Sequence, residues 1–409
     1  MTDRSVAASR ALLVAWLVVV AWTTLRPAPS QAAAVADLHW HCVLCGDSGG
    51  ADFLLNVLLY APLGLALRGM RWPLWRTVTL LAALSISVEL VQGAWLVGRD
   101  ASLGDVLANT TGAVTGWTAF GLVAVFARPS PSAARRGLAA ILATMALLWW
   151  ATAAALRPEL SGPAPWWGQP LHVFPGDVPF PGTMQRATID GIDIPNDRIE
   201  TIPPWRDSIS VVIDATRNTA ERFARGIALL HVVDSAGDVQ LAVSQDGDDA
   251  RLRLRLRGSD WRLHPPSWRI ADGLRMAAGV PWRFAARWRR NAITIESDPV
   301  NSPPRETRLP LSLGEGWVFI HPFVATIDNR APIWTALWLG FWFGLAGWLA
   351  GWITIAEILA AALLALAPFV AISTGSGLQL RPEEVATSAA SFALFTLLAR
   401  RRRRRVATW

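Results

Sequence analysis

The stretch Leu84–Gly116, LSISVELVQGAWLVGRDASLGDVLANTTGAVTG, sets polar residues into two apolar segments at helical intervals. On the first segment Ser85, Glu89 and Gln92 fall four and three residues apart, so one helical face carries all three. On the second, Ser102, Asp105, Asn109, Gly112 and Gly116 recur at spacings of three, four, three and four. Gly98-Arg99-Asp100 supplies a polar bend and a cation between them. An ionised carboxylate at the centre of a bilayer costs about 2.5–3.5 kcal/mol on insertion scales, so such groups face a bundle interior or a watered cavity and take partners. Two membrane helices with facing polar sides, and Arg99 turned towards both, follow as the expectation.

Working outward, the composition demands several membrane spans. The chain has 409 residues, of which 52% are hydrophobic, with a mean hydropathy of +0.32. Its 23 tryptophans against one tyrosine suit many water–lipid boundaries, where indole rings anchor helix ends. A net charge of +7 and a pI near 11.0 are assigned to cytoplasmic loops, so nucleic acid is not an expected partner. Ala11–Leu25, preceded by Arg4 and Arg10, reads as an uncleaved first span; a cleaved signal ending at Ala32-Ala33-Ala34 is the alternative. Further spans are predicted over 52–67, 75–97, 103–126 and 138–155, two within 332–372 that join near Gly351, and one over 385–398. Arg400–Arg405 mark its cytoplasmic end, and eight spans then leave both termini inside.

The polar residues of this region also carry a resemblance. Asn56, Pro62-Leu63-Gly64, Glu89, Gln92, Arg99, Ser102, Asp105, Asn109, Gly112 and Gly116 match, in order, the pattern of the VanZ-like family of bacterial membrane proteins. The match runs over about 52–126. It implies a multi-pass protein of the cytoplasmic membrane with a theme of resistance to teicoplanin-type envelope antibiotics, and it names no reaction. Asn56 is expected to form a third wall of the polar face, with an interfacial N-terminal cap as the alternative. Gly112 and Gly116, with Ala108, form a small-residue seam for close helix contact.

The loop after the first span contains His39-Trp40-His41-Cys42-Val43-Leu44-Cys45. In an oxidising outer compartment a Cys42–Cys45 disulfide is the simplest state; zinc held with the histidines, and free thiols, are the alternatives. No cofactor is expected.

Between 157 and 330 the membrane-length apolar runs stop and short alternating segments begin. Strands are predicted over 209–215, 226–234, 239–244, 250–258, 282–287, 292–296 and 316–320, with Gln245-Asp246-Gly247-Asp248 and Arg289-Arg290-Asn291 as hairpin turns. The pattern predicts an extracytoplasmic antiparallel sandwich, and its strand order is similar to the laminin-G/concanavalin A-like jelly roll. Arg251, Arg253, Arg255 and Arg257 alternate with leucines. This is either a comb for anionic groups or a solvated face neutralised by Asp246, Asp248 and Asp249. Trp261, Trp268, Trp282 and Trp288 are read as core or edge residues, with sugar stacking as the alternative.

The expected fold class is therefore mixed: an α-helical membrane bundle of about eight spans carrying an all-β jelly-roll sandwich. Its parts are a VanZ-like domain (1–156), the sandwich (157–330), and C-terminal helices with an arginine tail (331–409). Asn56, Glu89, Gln92, Arg99, Ser102, Asp105 and Asn109 are the expected ligand-binding cluster. The expected partner is a membrane lipid or lipid-linked envelope precursor, with a glycan on the sandwich as a second. A hydrolase or transferase using Glu89 and Asp105 as acid and base, or a transport path, are the rival functions. Finally, Glu357, Arg381, Glu384, Thr387 and Ser388 faintly echo the first cluster, as a degenerate second half would.

Overall fold

The computed structural model describes residues 3–27, 40–44, 46, 48–97, 99, 101–159, 166–169, 178–195, 198–199, 208–218, 227–235, 238–289, 292–299, 306–321, 326–327 and 331–407. Eight helices of twenty or more residues lie among them: α1 (Asp3–Thr24), α2 (Gly49–Gly69), α3 (Leu74–Trp95), α4 (Leu103–Ala127), α5 (Pro131–Ala155), α6 (Ala331–Ala350), α7 (Ile355–Ser376) and α8 (Pro382–Ala407). Among the described residues, α1, α2, α3, α5, α6 and α7 are long and apolar enough to cross a membrane. Large apolar side chains stand on their outsides, among them Leu58, Leu90, Phe341, Leu359 and Leu363.

The helix ends follow local chemistry. Pro131 opens α5 behind Ser130, whose hydroxyl accepts from Ala133 N–H. Thr354 and Glu357 form a reciprocal capping box at the start of α7, and Gly377 closes that helix at φ +76°. Glu357 thus has a structural role of its own at this helix start. It caps the first turn of α7 and pairs with Arg135 at 2.6 Å.

Two packing groups divide the helices. In the first, Val20, Tyr60, Leu63, Leu67, Leu81 and Ala113 join α1 to α4 in a small core of their own. The seam between α2 and α4 is the closest helix contact. A Cβ at Gly112 or Gly116 would strike the carbonyls of Val57 or Ala61, and one at Gly64 would strike that of Ala113. The second group is α5 to α8, whose buried residues run without a break into the β region. Trp149 of α5 stacks on Phe343 of α6 and meets Phe369 of α7 edge-on. The helix that ends the N-terminal stretch in sequence therefore packs with α6 and α7, and α8 packs on these two.

Among the described residues the β region holds fourteen strands in two sheets. β1 (Trp166–Gln169), β2 (Val178–Pro179), β5 (Arg198–Ile199), β7 (Ile227–Val233), β8 (Val239–Asp246), β9 (Asp249–Leu254), β10 (Ser267–Ile270) and β14 (Thr326–Ile327) form one. β3 (Gly182–Ile189), β4 (Ile192–Asp193), β6 (Ser208–Arg217), β11 (Pro281–Arg289), β12 (Ala292–Pro299) and β13 (Glu306–Pro310) form the other. The first runs in the order β14-β10-β9-β8-β7-β1-β5 with β2 beside β7, and the second in the order β13-β12-β11-β6-β3-β4. All pairs are antiparallel except β10 with β14 and β2 with β7. Alternate residues of β6 and β11 are buried, as a half-solvated strand requires. Gly247, at φ +69°, makes the turn between β8 and β9. Residues 290 and 291 of the other expected turn lie outside the described residues.

The segment over 316–320, expected as a strand, is instead part of a 3₁₀ helix, Leu313–Ile320. Seven consecutive residues of it, Leu313 to Phe319, are buried, so there is no solvated face to impose a period of two. β9 also ends earlier than expected, and Arg257 lies in the helical turn Arg257–Asp260. Trp268, Trp282 and Trp288 are core residues, whereas Trp261 is 38% exposed.

Candidate functional site at the β-domain end of the first helix group

The polar residues of α2, α3 and α4 meet where these helices approach the β region. Glu89, on the last turns of α3, is buried, and its Oε2 accepts from the backbone N–H of Ser102 at 2.8 Å. Ser102 is the residue before α4 and makes no side-chain cap of its own. Glu89 therefore supplies, from a neighbouring helix, an acceptor at the positive end of α4. Asp105 lies in the first turn of the same helix and accepts from Asn56 Nδ2 of α2 at 2.6 Å. One turn deeper, Asn109 Nδ2 donates to Ser85 Oγ at 2.9 Å, both residues buried. Gln92 donates to the carbonyl of Thr24 at 2.8 Å, tying α3 to α1. The polar faces thus meet as a stack of rungs.

Two further features are not evident from spacing. Tyr60, the chain's one tyrosine, is fully buried beside Ser85 and within electrostatic reach of Glu89 and Asp105. It follows Asn56 by four residues, so the helical face that carries Asn56 also carries it. Asn109 Oδ1 is buried with no hydrogen-bond partner among the described residues. Arg99 departs from expectation. Its Nε and Nη2 donate to the carbonyls of Arg26 and Thr23, at 3.3 and 3.4 Å, so it caps the end of α1 instead of turning into the two polar faces.

Carbonyls from elsewhere close the helix starts above this cluster. Trp40 and Cys42 carbonyls accept from Leu103 and Gly104 N–H, at 2.8 and 3.2 Å, over α4. The Arg262 carbonyl of the β region accepts from Gly50 and Ala51, at 2.9 and 3.0 Å, over α2. His264 approaches Asp52 at 3.4 Å and meets the His321 carbonyl through Nδ1 at 2.7 Å. Cys42 is disulfide-bonded; Cys45 and His39 lie outside the described residues. Among the described residues no group of three or more His, Cys, Asp or Glu is placed to hold a metal ion.

The arginine comb meets carboxylates. Arg251 pairs with Asp246 at 2.7 Å, and Arg255 lies between Asp260 at 3.0 Å and Asp238 at 3.5 Å. Arg253, Arg255 and Arg262 also line a cavity of about 470 Å³ with Gly46, Asp238 and Asp260. Arg262 belongs both to this cavity and to the cap over α2.

A family model described as VanZ/LLP1 matches residues 12–124. The N-terminal part of the chain is VanZ-like. The matched segment, just over a quarter of the chain, takes in α2, α3, the greater part of α1 and α4 and every residue of the cluster, and it ends before α5 and the β region. No curated protein and no solved structure matches the chain. The family match ends before the β region and does not bear on its expected likeness to laminin-G and concanavalin A-like domains. Apolar helices and a VanZ-like segment make this a membrane protein of the envelope type.

The other end of the helices is rich in arginine. Arg68 lies over the Trp117 ring at 4.1 Å, and Arg403 donates to the Trp352 carbonyl at 2.9 Å. Glu357 is at this end, about 30 Å of helix away from Arg381 and Glu384. The echo that grouped these three is therefore not one site.

Proposed function

We propose that the protein holds a lipid- or glycan-linked envelope component, with the amphiphile's polar part at the Asn56–Asp105–Asn109 cluster and its tail in the surrounding lipid. The observation that carries this reading is the polar stack itself. It joins helices with apolar outer faces, and it retains a buried amide oxygen, Asn109 Oδ1, with no partner among the described residues. A hydroxyl or amine of a ligand would supply the missing donor. The arginine-lined cavity beside the α2 cap suits a phosphate or carboxylate of the same molecule. Glu89 and Asp105 each accept from an amide, which supports holding over acid–base turnover.

The arginine ends of the helices support an orientation with both termini in the cytoplasm and the β region outside the cytoplasmic membrane, with eight spans. On the VanZ-like theme, the bound component would belong to the layer that glycopeptide antibiotics attack.

The test is extraction of the whole protein in mild detergent, followed by mass spectrometry of bound lipids. Wild type is compared with an Asn56→Leu/Asp105→Leu variant, which removes both partners of one bond and leaves neither orphaned. The expected result is about a tenfold loss of one bound amphiphile, equivalent to about 1.4 kcal/mol of contact. Identical lipid profiles from two equally stable proteins would overturn the reading.

A further inference from the structure

A second buried polar cluster lies where the β region returns to the helices. Glu315 of the 3₁₀ helix and Glu384 of α8 are 1% and 2% exposed. Arg381 Nη1 stands 3.6 Å from Glu315 Oε1 and 3.8 Å from Glu384 Oε1. The same guanidinium also binds the exposed Glu383 through Nε at 2.8 Å. Ser312 Oγ donates to Glu384 Oε1. The other oxygen of each buried carboxylate, Oε2, has no hydrogen-bond partner among the described residues. Neither has Ser388 Oγ, fully buried one turn beyond Glu384.

Two buried carboxylates and one shared guanidinium leave one negative charge over. Like charges in a dry site cannot both ionise, and an uncompensated buried charge is strongly disfavoured. One proton removes the surplus and turns one unpartnered oxygen into a donor. The backbone is shaped for the contact: a Cβ at Gly314 would come within 2.6 Å of both Glu384 Oε1 and the Thr335 side chain.

We propose that Glu315 and Glu384 form a proton-binding site, beyond the ligand site of the first helix group, whose shared proton clamps the exit of the β domain onto the last helix over Arg381. The surroundings supply little other charge. The 3₁₀ helix packs on α6, α5 and α2. α6 has no titratable residue, and α5 carries only Arg135 and Arg136, at its far end. α2 brings Asp52, which faces His264. His321, just past the 3₁₀ helix, lies edge-on to Trp334. Burial, and then the charge of Glu384, push the Glu315 carboxyl up to about 8, against the pull of Arg381. A folded-state value raised above the unfolded one gives a clamp that is complete at low pH and lost as pH rises to about 8.

The test is infrared spectroscopy of the whole protein in detergent, titrated from about pH 6 to about pH 10. Wild type is expected to show a protonated-carboxyl C=O band that disappears on alkalisation. The band's loss on alkalisation should vanish in Glu315→Gln and persist in Glu383→Gln. Measured against the intrinsic exchange rate at each pH, protection over 312–320 should fall about tenfold in wild type between these limits and stay level in Glu315→Gln. Absence of a titrating buried carboxyl in wild type, or its persistence in both Glu315→Gln and Glu384→Gln, overturns the site. This holds whether or not a variant folds poorly, because the wild-type spectrum alone decides the first case. Protection over 312–320 that is unchanged in wild type while the band titrates overturns the clamp.

Discussion

Glu89 and Asp105 in the first helix group, and Glu315 and Glu384 in the second, all lie at the end of the helices that faces the β domain. The first pair meets N–H donors: the Ser102 backbone and the Asn56 amide, at 2.8 and 2.6 Å. Both sit at the start of α4, where the helix dipole favours an anion. The second pair leans on a single guanidinium at 3.6 and 3.8 Å and leaves an oxygen of each carboxyl without a partner among the described residues. Polar residues placed on neighbouring helices can answer each other rung by rung. Carboxylates brought together from a β-domain exit and a distant helix instead share one cation, and the balance falls to a proton.

The largest expected effect separates the two groups physically. Gly116→Leu would drive a side chain into the Ala61 carbonyl at the α2–α4 seam. Overpacking of this kind costs about 1–3 kcal/mol and often more. Because the first helix group has a core of its own, thermal unfolding in detergent should split, with the early transition assigned to α1–α4. Limited proteolysis should then find the β domain with α5–α8 intact. A single shifted transition for the whole chain would break the division into two groups.

Next in size is Glu89→Ala, which strands the buried Ser102 N–H at a cost of about 1–3 kcal/mol. That variant should be less stable than wild type, since a buried donor left without its acceptor costs its desolvation. Glu315→Gln should behave differently, matching wild type in acid and exceeding it above about pH 8, where wild type has lost its proton. Thermal midpoints of the two variants across that range sharpen the comparison. Parallel curves for both would end it.

Much of the first cluster was legible because membrane burial makes polar residues conspicuous and helical spacing assigns them to faces. Ser85, Glu89 and Gln92, and Ser102, Asp105 and Asn109, fall on the faces that their intervals predict. Periodicity gives faces but not partners, so the turn of Arg99 towards α1 and the packing of α5 with α6 and α7 were not available from it. Tyr60 was hidden by its aromatic ring, which reads as core in an apolar segment. The second cluster was hidden by distance: Ser312 and Glu315 lie about seventy residues before Arg381 and Glu384. The 3₁₀ segment misled for a related reason. A short apolar run after a glycine is compatible with a strand or a buried turn of helix, and only its neighbours decide.

The smallest expected effect concerns the carboxylate at the opposite end. Glu357 accepts from Thr354 N–H at 2.9 Å and from Thr354 Oγ1 at 2.8 Å, and separately pairs with Arg135. Exposed ion pairs are screened by water and salt, whereas a capping box satisfies helix donors that otherwise have no partner. Thr354→Ala should therefore destabilise α7 by about 1 kcal/mol. Arg135→Ala should leave the thermal midpoint unchanged within error at moderate salt. Equal losses from the two variants would mean that the Arg135–Glu357 pair is withdrawn from water. The arginine end would then resemble the two buried clusters, and the contrast between the ends of the helices would fail.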